Sequence, residues 1–226
     1  MEIVQKNDFV ALRYSGYANG VLFDSNEEEH IKKLHPDAKA EELMIAVGKG
    51  MVVAGLDKTL EGKEIGKQYE VTFSASEGFG ERRTELVKTI PLRVFSEKGI
   101  QPYAGQSLLM DNVTARVITV SGARVITDFN NPLAGKEMRY AFVITRKVTD
   151  EKEKAEALFK ASFKFVPHYE IEKEAIVVRG PAVLEEYAKA YGLLFKELLG
   201  KELVFVLEEK KAEEKKAPAG VQQTVS

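Results

Sequence analysis

Apolar and polar positions in the first third of the chain recur with the spacing of strands and turns. Phe9, Val10, Leu12 and Tyr14 precede Asn19-Gly20, after which Val21-Leu22-Phe23 resumes. Asn-Gly between two apolar runs predicts a hairpin with a type I′ turn, whose central residues both need positive φ. The stretch from Ser25 to Glu42, with Glu27, Glu28, Glu29, Lys32 and Lys33, predicts a solvated excursion in which His30 and His35 are bystanders. Leu43 to Val47 then reads as a strand, Gly48-Lys49-Gly50 as a turn, and Met51 to Leu60 as a helix stopped by Gly62. Tyr69 to Phe73 alternates as a half-buried strand.

Residues 85–131 carry a separate set of extended runs: Leu86-Val87, Pro91 to Phe95, Thr114 to Val120 and Val125 to Phe129, with a turn at Ser121-Gly122. Gly99, Pro102 and Gly105 predict irregular chain between them. In Gly135 to Val148 the residues Met138, Tyr140, Phe142 and Ile144 share one strand face, so strand pairing resumes beyond the run. An inserted domain fits this order better than a simple string.

The character changes at Thr149, where a charged run to Lys154 suggests a linker. Glu151 to Ala161 looks helical, Phe163, Phe165 and Ile171 to Val178 look extended, and Pro181 to Leu199 is an amphipathic helix closed by Gly200. Its stripe is Leu184, Tyr187, Tyr191, Leu194 and Leu198, joined by Leu193, Phe195 and Leu199. That is more apolar surface than a small sheet hides, which predicts a homodimer through this segment or, alternatively, an intramolecular cap. Leu203 to Leu207 closes as a strand, and the polar tail beyond it has no core face. The expected class is α+β, with one domain from 1–84 plus 132–149, a small β-rich insert at 85–131, a C-terminal α/β domain at 150–208 and a tail at 209–226.

Composition narrows the chemistry. With 33 Lys plus Arg against 35 Asp plus Glu, a formal charge of -2 offers no large field for nucleic acid. Charged residues at 30% without Cys or Trp suit a heat-adapted source. No Cys is present, so disulfides and thiol nucleophiles are excluded, in keeping with a reducing compartment. Glu2 and Asp8 follow Met1 with no basic region or long apolar run, so the expectation is a cytoplasmic protein without a membrane span. His30, His35 and His168 meet no ligand spacing, and neither a nucleophile elbow nor a phosphate loop occurs, so no metal and no cofactor are expected.

Val21-Leu22-Phe23-Asp24-Ser25, the run Val47-Gly48-Lys49-Gly50-Met51-Val52-Val53-Ala54-Gly55-Leu56-Asp57, and Gly78-Phe79-Gly80 stand in that order. Together they resemble the FKBP family of peptidyl-prolyl isomerases. Asp128-Phe129-Asn130-Asn131-Pro132-Leu133-Ala134-Gly135 is similar to its SlyD-type branch, in which an insert-in-flap chaperone domain interrupts the catalytic fold. The resemblance covers about residues 1–148 and implies a twisted antiparallel sheet over one short helix, with a peptide pocket between them. It assigns Tyr14, Phe23 and Asp24 to the pocket's aromatics and acid, and Val52 and Val53 to its floor, Val53 offering a backbone N–H to a peptide. Leu56 stands where many relatives have Trp, Phe79 where the rim is usually Tyr, and Tyr140 where Phe is common; Leu43 is a wall residue.

The implied activity is cis-trans isomerisation of X-Pro bonds in unfolded or partly folded polypeptides, with chaperone activity from the insert. Ile100, Tyr103, Leu108, Leu109 and Met110 are the candidates for an exposed client-binding patch, against the alternative that they fill the insert's own core. A non-catalytic peptide-binding holdase on the same fold is the second reading, motivated by Phe79 and Leu56. The resemblance does not extend to nickel storage, because the His-rich and Cys-rich tail of some relatives is absent.

Overall fold

The structure is a computed structural model and describes residues 2–208. Two compact units divide between Val148 and Thr149. In the first, β1 (Phe9–Ala18) and β2 (Val21–Ser25) form the expected hairpin, and Asn19 and Gly20 take φ of 49° and 80° as a type I′ turn requires. The polar stretch that follows holds one short helix, α1 (Glu28–Leu34), with no buried residue. β3 (Leu43–Ala46) pairs with Phe9–Leu12 of β1, while β2 pairs with Ser15–Ala18. α2 spans Ala54–Leu60, and β4 spans Gln68–Phe73.

Within residues 85–131 come β5 (Val87–Pro91), α3 (Leu92–Glu97), β6 (Ser107–Met110), β7 (Val113–Ser121) and β8 (Arg124–Asp128). They form a sheet in the order β5-β8-β7-β6. β9 (Met138–Lys147) then returns between β1 and β4 to complete the antiparallel order β2-β1-β9-β4. Its alternation buries Met138, Tyr140, Phe142 and Ile144 against Val10, Leu12, Ile45, Leu56 and Leu60. α2 lies close on this sheet because Gly55 has no side chain: a Cβ there would sit 2.4 Å from the Phe73 ring.

Two elements of the insert differ from expectation. Leu92–Glu97 is helical because Pro91 supplies a preset φ at the N-cap and one turn carries Phe95 into a core with Val117 and Val125. Ser107–Met110 is a regular edge strand because Asp111 and Asn112, at φ of 48° and 64°, turn it directly onto β7. Short polar side chains tolerate that left-handed region, so Asp-Asn does here what Asn-Gly does in the first hairpin.

The second unit contains α4 (Glu151–Ser162), β10 (His168–Ile171), β11 (Ala175–Gly180), α5 (Val183–Leu199) and β12 (Glu202–Leu207). The sheet order is β10-β11-β12, with β11 and β12 parallel and α5 as their crossover. The charged run at 149–154 is a capped helix start rather than a linker: the Asp150 side chain accepts from the Glu153 N–H at 2.9 Å. Phe163 ends α4 instead of opening a strand. α5 turns Leu184, Ala188 and Phe195 inward, with Phe195 fully buried 4.9 Å from Phe159. Of the predicted stripe Tyr187 stays 36% exposed, and Leu193 beside it 83%. The tail from residue 209 lies outside the described residues. Among those described, no helix is long and apolar enough to cross a membrane.

Candidate active site

The hairpin places the first two site residues. Tyr14 on β1 donates its hydroxyl hydrogen to Asp24 Oδ2 on β2 at 2.8 Å. Gly16, opposite Asp24 in register, leaves room for two rings: a Cβ there would lie 3.0 Å from Tyr140 Cε1 and 3.1 Å from the Phe23 ring. Asn26, which sequence patterning passes over as part of the polar stretch, is buried, and its Oδ1 accepts the Tyr14 backbone N–H at 2.7 Å.

The Gly-rich turn is held from the helix that follows it. Gly48 and Gly50 adopt φ of 77° and 66°, and their N–H groups donate to the buried Asp57 carboxylate at 2.9 and 2.8 Å. This clamp fixes the entry of Met51, Val52 and Val53. α2 begins only at Ala54, with Val53 as its N-cap residue, so the Val53 N–H stands outside the intrahelical ladder. Phe79 follows a 3-10 turn at Ala75–Glu77 that is tied to α2 by the Lys58–Glu77 ion pair at 3.1 Å.

These groups surround a cavity of about 390 Å³ lined by Tyr14, Asp24, Leu43, Met51, Val52, Val53, Leu56, Phe79 and Tyr140. Of the pocket residues expected from sequence, Phe23 alone stands behind the lining. It is edge-on to Phe79 at 5.7 Å and to Tyr140 at 6.0 Å, and so buttresses both. Met51 and the supporting Asp57 and Asn26 carry no site signal of their own in the sequence. Met51 belonged to the expected helix, and its Sδ instead accepts the Ala46 N–H at 3.1 Å, drawing the side chain to the wall. Asp24 is exposed at the mouth, whereas Tyr140 and Leu56 are buried. Burial, and secondly the Asp24 charge, push the Tyr140 phenol up to about 12; the same causes, with the Asp24 hydrogen bond, hold Tyr14 well above its ordinary range. Both phenols are therefore neutral donors near pH 7.

The five insert candidates separate into two groups. Tyr103 and Leu109 are 65% and 70% exposed, whereas Ile100, Leu108 and Met110 are half-buried against Phe95, Val117 and Val125. His30 is not a bystander: its Nδ1 lies 2.7 Å from Ser15 Oγ, which also meets Ser25 Oγ at 2.9 Å and Glu27 at 3.0 Å. That network supports the hairpin on the side away from the cavity. No group of three or more His, Asp or Glu placed to hold a metal occurs among the described residues.

A sheet wrapped on one short helix carries an aromatic cavity with a single carboxylate at its mouth and no nucleophile and base pair among its lining residues. The family described as "FKBP-type peptidyl-prolyl cis-trans isomerase" matches residues 1–97, and "FKBP26, IF domain" matches residues 88–133. The short-type peptidyl-prolyl cis-trans isomerase of Methanocaldococcus jannaschii is 29% identical over 147 residues, which cover 64% of this chain and 94% of that protein. The SlyD isomerase of Haemophilus influenzae is 31% identical over 144 residues, 61% of this chain and 68% of its own length. That of Treponema pallidum is 32% identical over 122 residues, 51% of this chain and 68% of its own. The chain belongs to the FKBP-type peptidyl-prolyl cis-trans isomerase family, an isomerase class of enzyme.

Proposed function

We propose that the cavity between β1, β2, α2 and β9 catalyses rotation about X-Pro bonds, with Tyr14, Asp24, Val52, Val53, Leu56, Phe79 and Tyr140 in contact with the peptide and Phe23 behind them. The barrier to that rotation is roughly 20 kcal/mol and arises from amide resonance, which places negative charge on the carbonyl oxygen of the planar form. An apolar cavity disfavours this separation of charge, and the Asp24 carboxylate at its mouth disfavours it further. The twisted amide keeps less charge on oxygen, so it is bound better than either planar state. The Val53 N–H holds the peptide, and no covalent step is needed. The observation that carries this reading is the Tyr14–Asp24 hydrogen bond at the mouth of a cavity whose other lining side chains are apolar apart from the Tyr140 phenol. A protease-coupled assay on a proline tetrapeptide tests it: acceleration is expected, and no acceleration with suppression of aggregation retained would establish the holdase instead.

Residues 85–131 act as the chaperone insert, with Tyr103 and Leu109 offering apolar contact to unfolded chain. Their exposure of 65% and 70% supports this, and Val113 and Ile118 at 48% and 42% extend the apolar surface. The C-terminal α/β domain pairs two copies; the exposed Leu193 and Tyr187 on α5 and Val204, Val206 and Leu207 on β12 support that role. Two linked pockets raise the effective concentration at one client without any new pocket contact. A cytoplasmic setting suits a chain without cysteine.

A further inference from the structure

A second cavity, about 560 Å³ in volume, lies where the insert joins the rest of its unit and shares no residue with the isomerase pocket. Its floor is one face of the insert sheet, on which Ser107 of β6, Arg116 of β7 and Asp128 of β8 stand side by side in register. Opposite charges facing each other across antiparallel strands ordinarily pair. Here Asp128 is already taken. Its Oδ2 accepts Arg82 Nε and Nη2 at 3.1 and 2.7 Å, and its Oδ1 accepts the Asn130 N–H and Nδ2 at 2.9 and 2.7 Å. Arg82 therefore pre-empts the acid that would neutralise Arg116. Among the described residues neither Arg116 nor Lys136 across the groove carries an ion-pair partner, and both line the cavity together with Ile118, which is 42% exposed.

We propose that this groove is a carboxylate-recognition site of the insert, in which Arg116 and Lys136 take the side chain of an Asp or Glu in an extended client polypeptide while a neighbouring apolar residue rests on Ile118. The proposal rests on the insert being a client-binding domain and adds which clients it prefers. A guanidinium presents a planar fork that matches a carboxylate, and a nearby ammonium adds a point charge without demanding a second fixed geometry. The chain's formal charge of -2 supplies no wider field for a polyanion, so recognition is confined to single acids set among apolar residues. Arg116 is exposed and Lys136 half-exposed, so leaving the two cations unpaired costs little until a carboxylate binds between them.

Fluorescence anisotropy on the full chain tests this, using labelled, N-acetylated and C-amidated peptides without proline that differ only in one central Asp, Asn or Lys. Blocked ends exclude terminal carboxylates as the ligand. The Asp peptide is expected to bind about tenfold tighter than the Asn peptide, and the Lys peptide more weakly than either. Arg116→Gln with Lys136→Gln should abolish that preference while leaving Asn-peptide affinity and tetrapeptide turnover unchanged, the former showing that the insert is folded and the latter that the isomerase pocket is. Equal affinity for Asp and Asn peptides in the unaltered protein, or a preference that survives both substitutions, overturns the proposal while sparing the client-binding role. Failure of every peptide to bind overturns both.

Discussion

The Asn26 carboxamide closes a gap in the sheet edge beside Tyr14. Along one edge of β1, β3 pairs as far as Leu12 and β2 takes over only from Ser15. Between them Asn26 accepts from the Tyr14 N–H at 2.7 Å and donates to the Leu12 and Glu41 carbonyl oxygens at 2.8 and 2.9 Å. A side chain thus replaces the missing backbone ladder at the residue whose hydroxyl reaches Asp24.

Asn26→Ala leaves those backbone groups without partners, and each unpaired buried polar group costs about 1–3 kcal/mol. A loss of about 2–3 kcal/mol is expected in urea unfolding, accompanied by a fall in kcat/KM at temperatures where the variant remains folded. Asn26→Asp, which keeps the acceptor and loses both donors, should fall between. Unchanged turnover in a folded Asn26→Ala protein would separate this residue from the site.

Asp24→Ala should lower kcat/KM for a proline tetrapeptide about tenfold, the scale of one charge-assisted hydrogen bond of roughly 1.5 kcal/mol. Because Asp24 is exposed, the unfolding midpoint should move little. Equal activity in the variant would remove Asp24 from the catalytic assignment.

The buried phenols set a pH dependence at the alkaline end. Tyr140 titrates at about 12 in the folded protein, against about 10 when unfolded. The folded state holds this proton more tightly, so the stabilisation is complete below the unfolded value and is lost as pH rises through the window from about 10 to about 12. Unfolding midpoints measured from pH 9 upward should decline across that window, and Tyr140→Phe should flatten part of the decline. Ultraviolet titration should also show the Tyr14 and Tyr140 phenols shifting toward their ordinary range in Asp24→Ala.

Gly55→Ala should be among the most damaging single-methyl changes in the chain. The added carbon would meet the Phe73 ring at 2.4 Å, and that ring stacks on Tyr140 at 5.7 Å. Forcing α2 away from the sheet should cost about 1–3 kcal/mol and disturb the pocket floor. Thermal unfolding and tetrapeptide turnover should fall together.

Tyr103→Ser with Leu109→Ser should leave tetrapeptide turnover and unfolding essentially unchanged, because both side chains are mostly solvated. Suppression of aggregation and catalysed refolding of a protein substrate should drop several-fold. Loss on both kinds of substrate would argue against a division of labour. For the second unit, sedimentation of the full chain against one ending at Lys147 should give a dimer and a monomer; monomers in both cases would leave this segment as a cap.

The turn at Asn19-Gly20, the alternation of Met138, Tyr140, Phe142 and Ile144, and the Gly200 stop of α5 were legible in the sequence because each depends on residues a few positions apart. The Phe-Asp-Ser, Gly-Lys-Gly and Gly-Phe-Gly strings imply a pocket only through their resemblance, in that order, to the FKBP family. What patterning missed depends on partners brought in from elsewhere. Leu92–Glu97 became a helix because Phe95 finds Val117 and Val125, and α5 turned Phe195 inward because Phe159 of α4 waits there. Asn26 and Asp57 look like ordinary polar residues until the chain sets unpaired backbone N–H groups beside them. Tyr14 and Tyr140 come within 6.0 Å because β1 and β9 pair in one register, with Gly16 opposite Tyr140. Local spacing specifies which segments become strands and turns, since it acts through neighbouring backbone angles. Only tertiary register, driven by burial of one strand face and the need to satisfy every buried N–H and C=O, decides which polar side chain holds the pocket and which cation is left open.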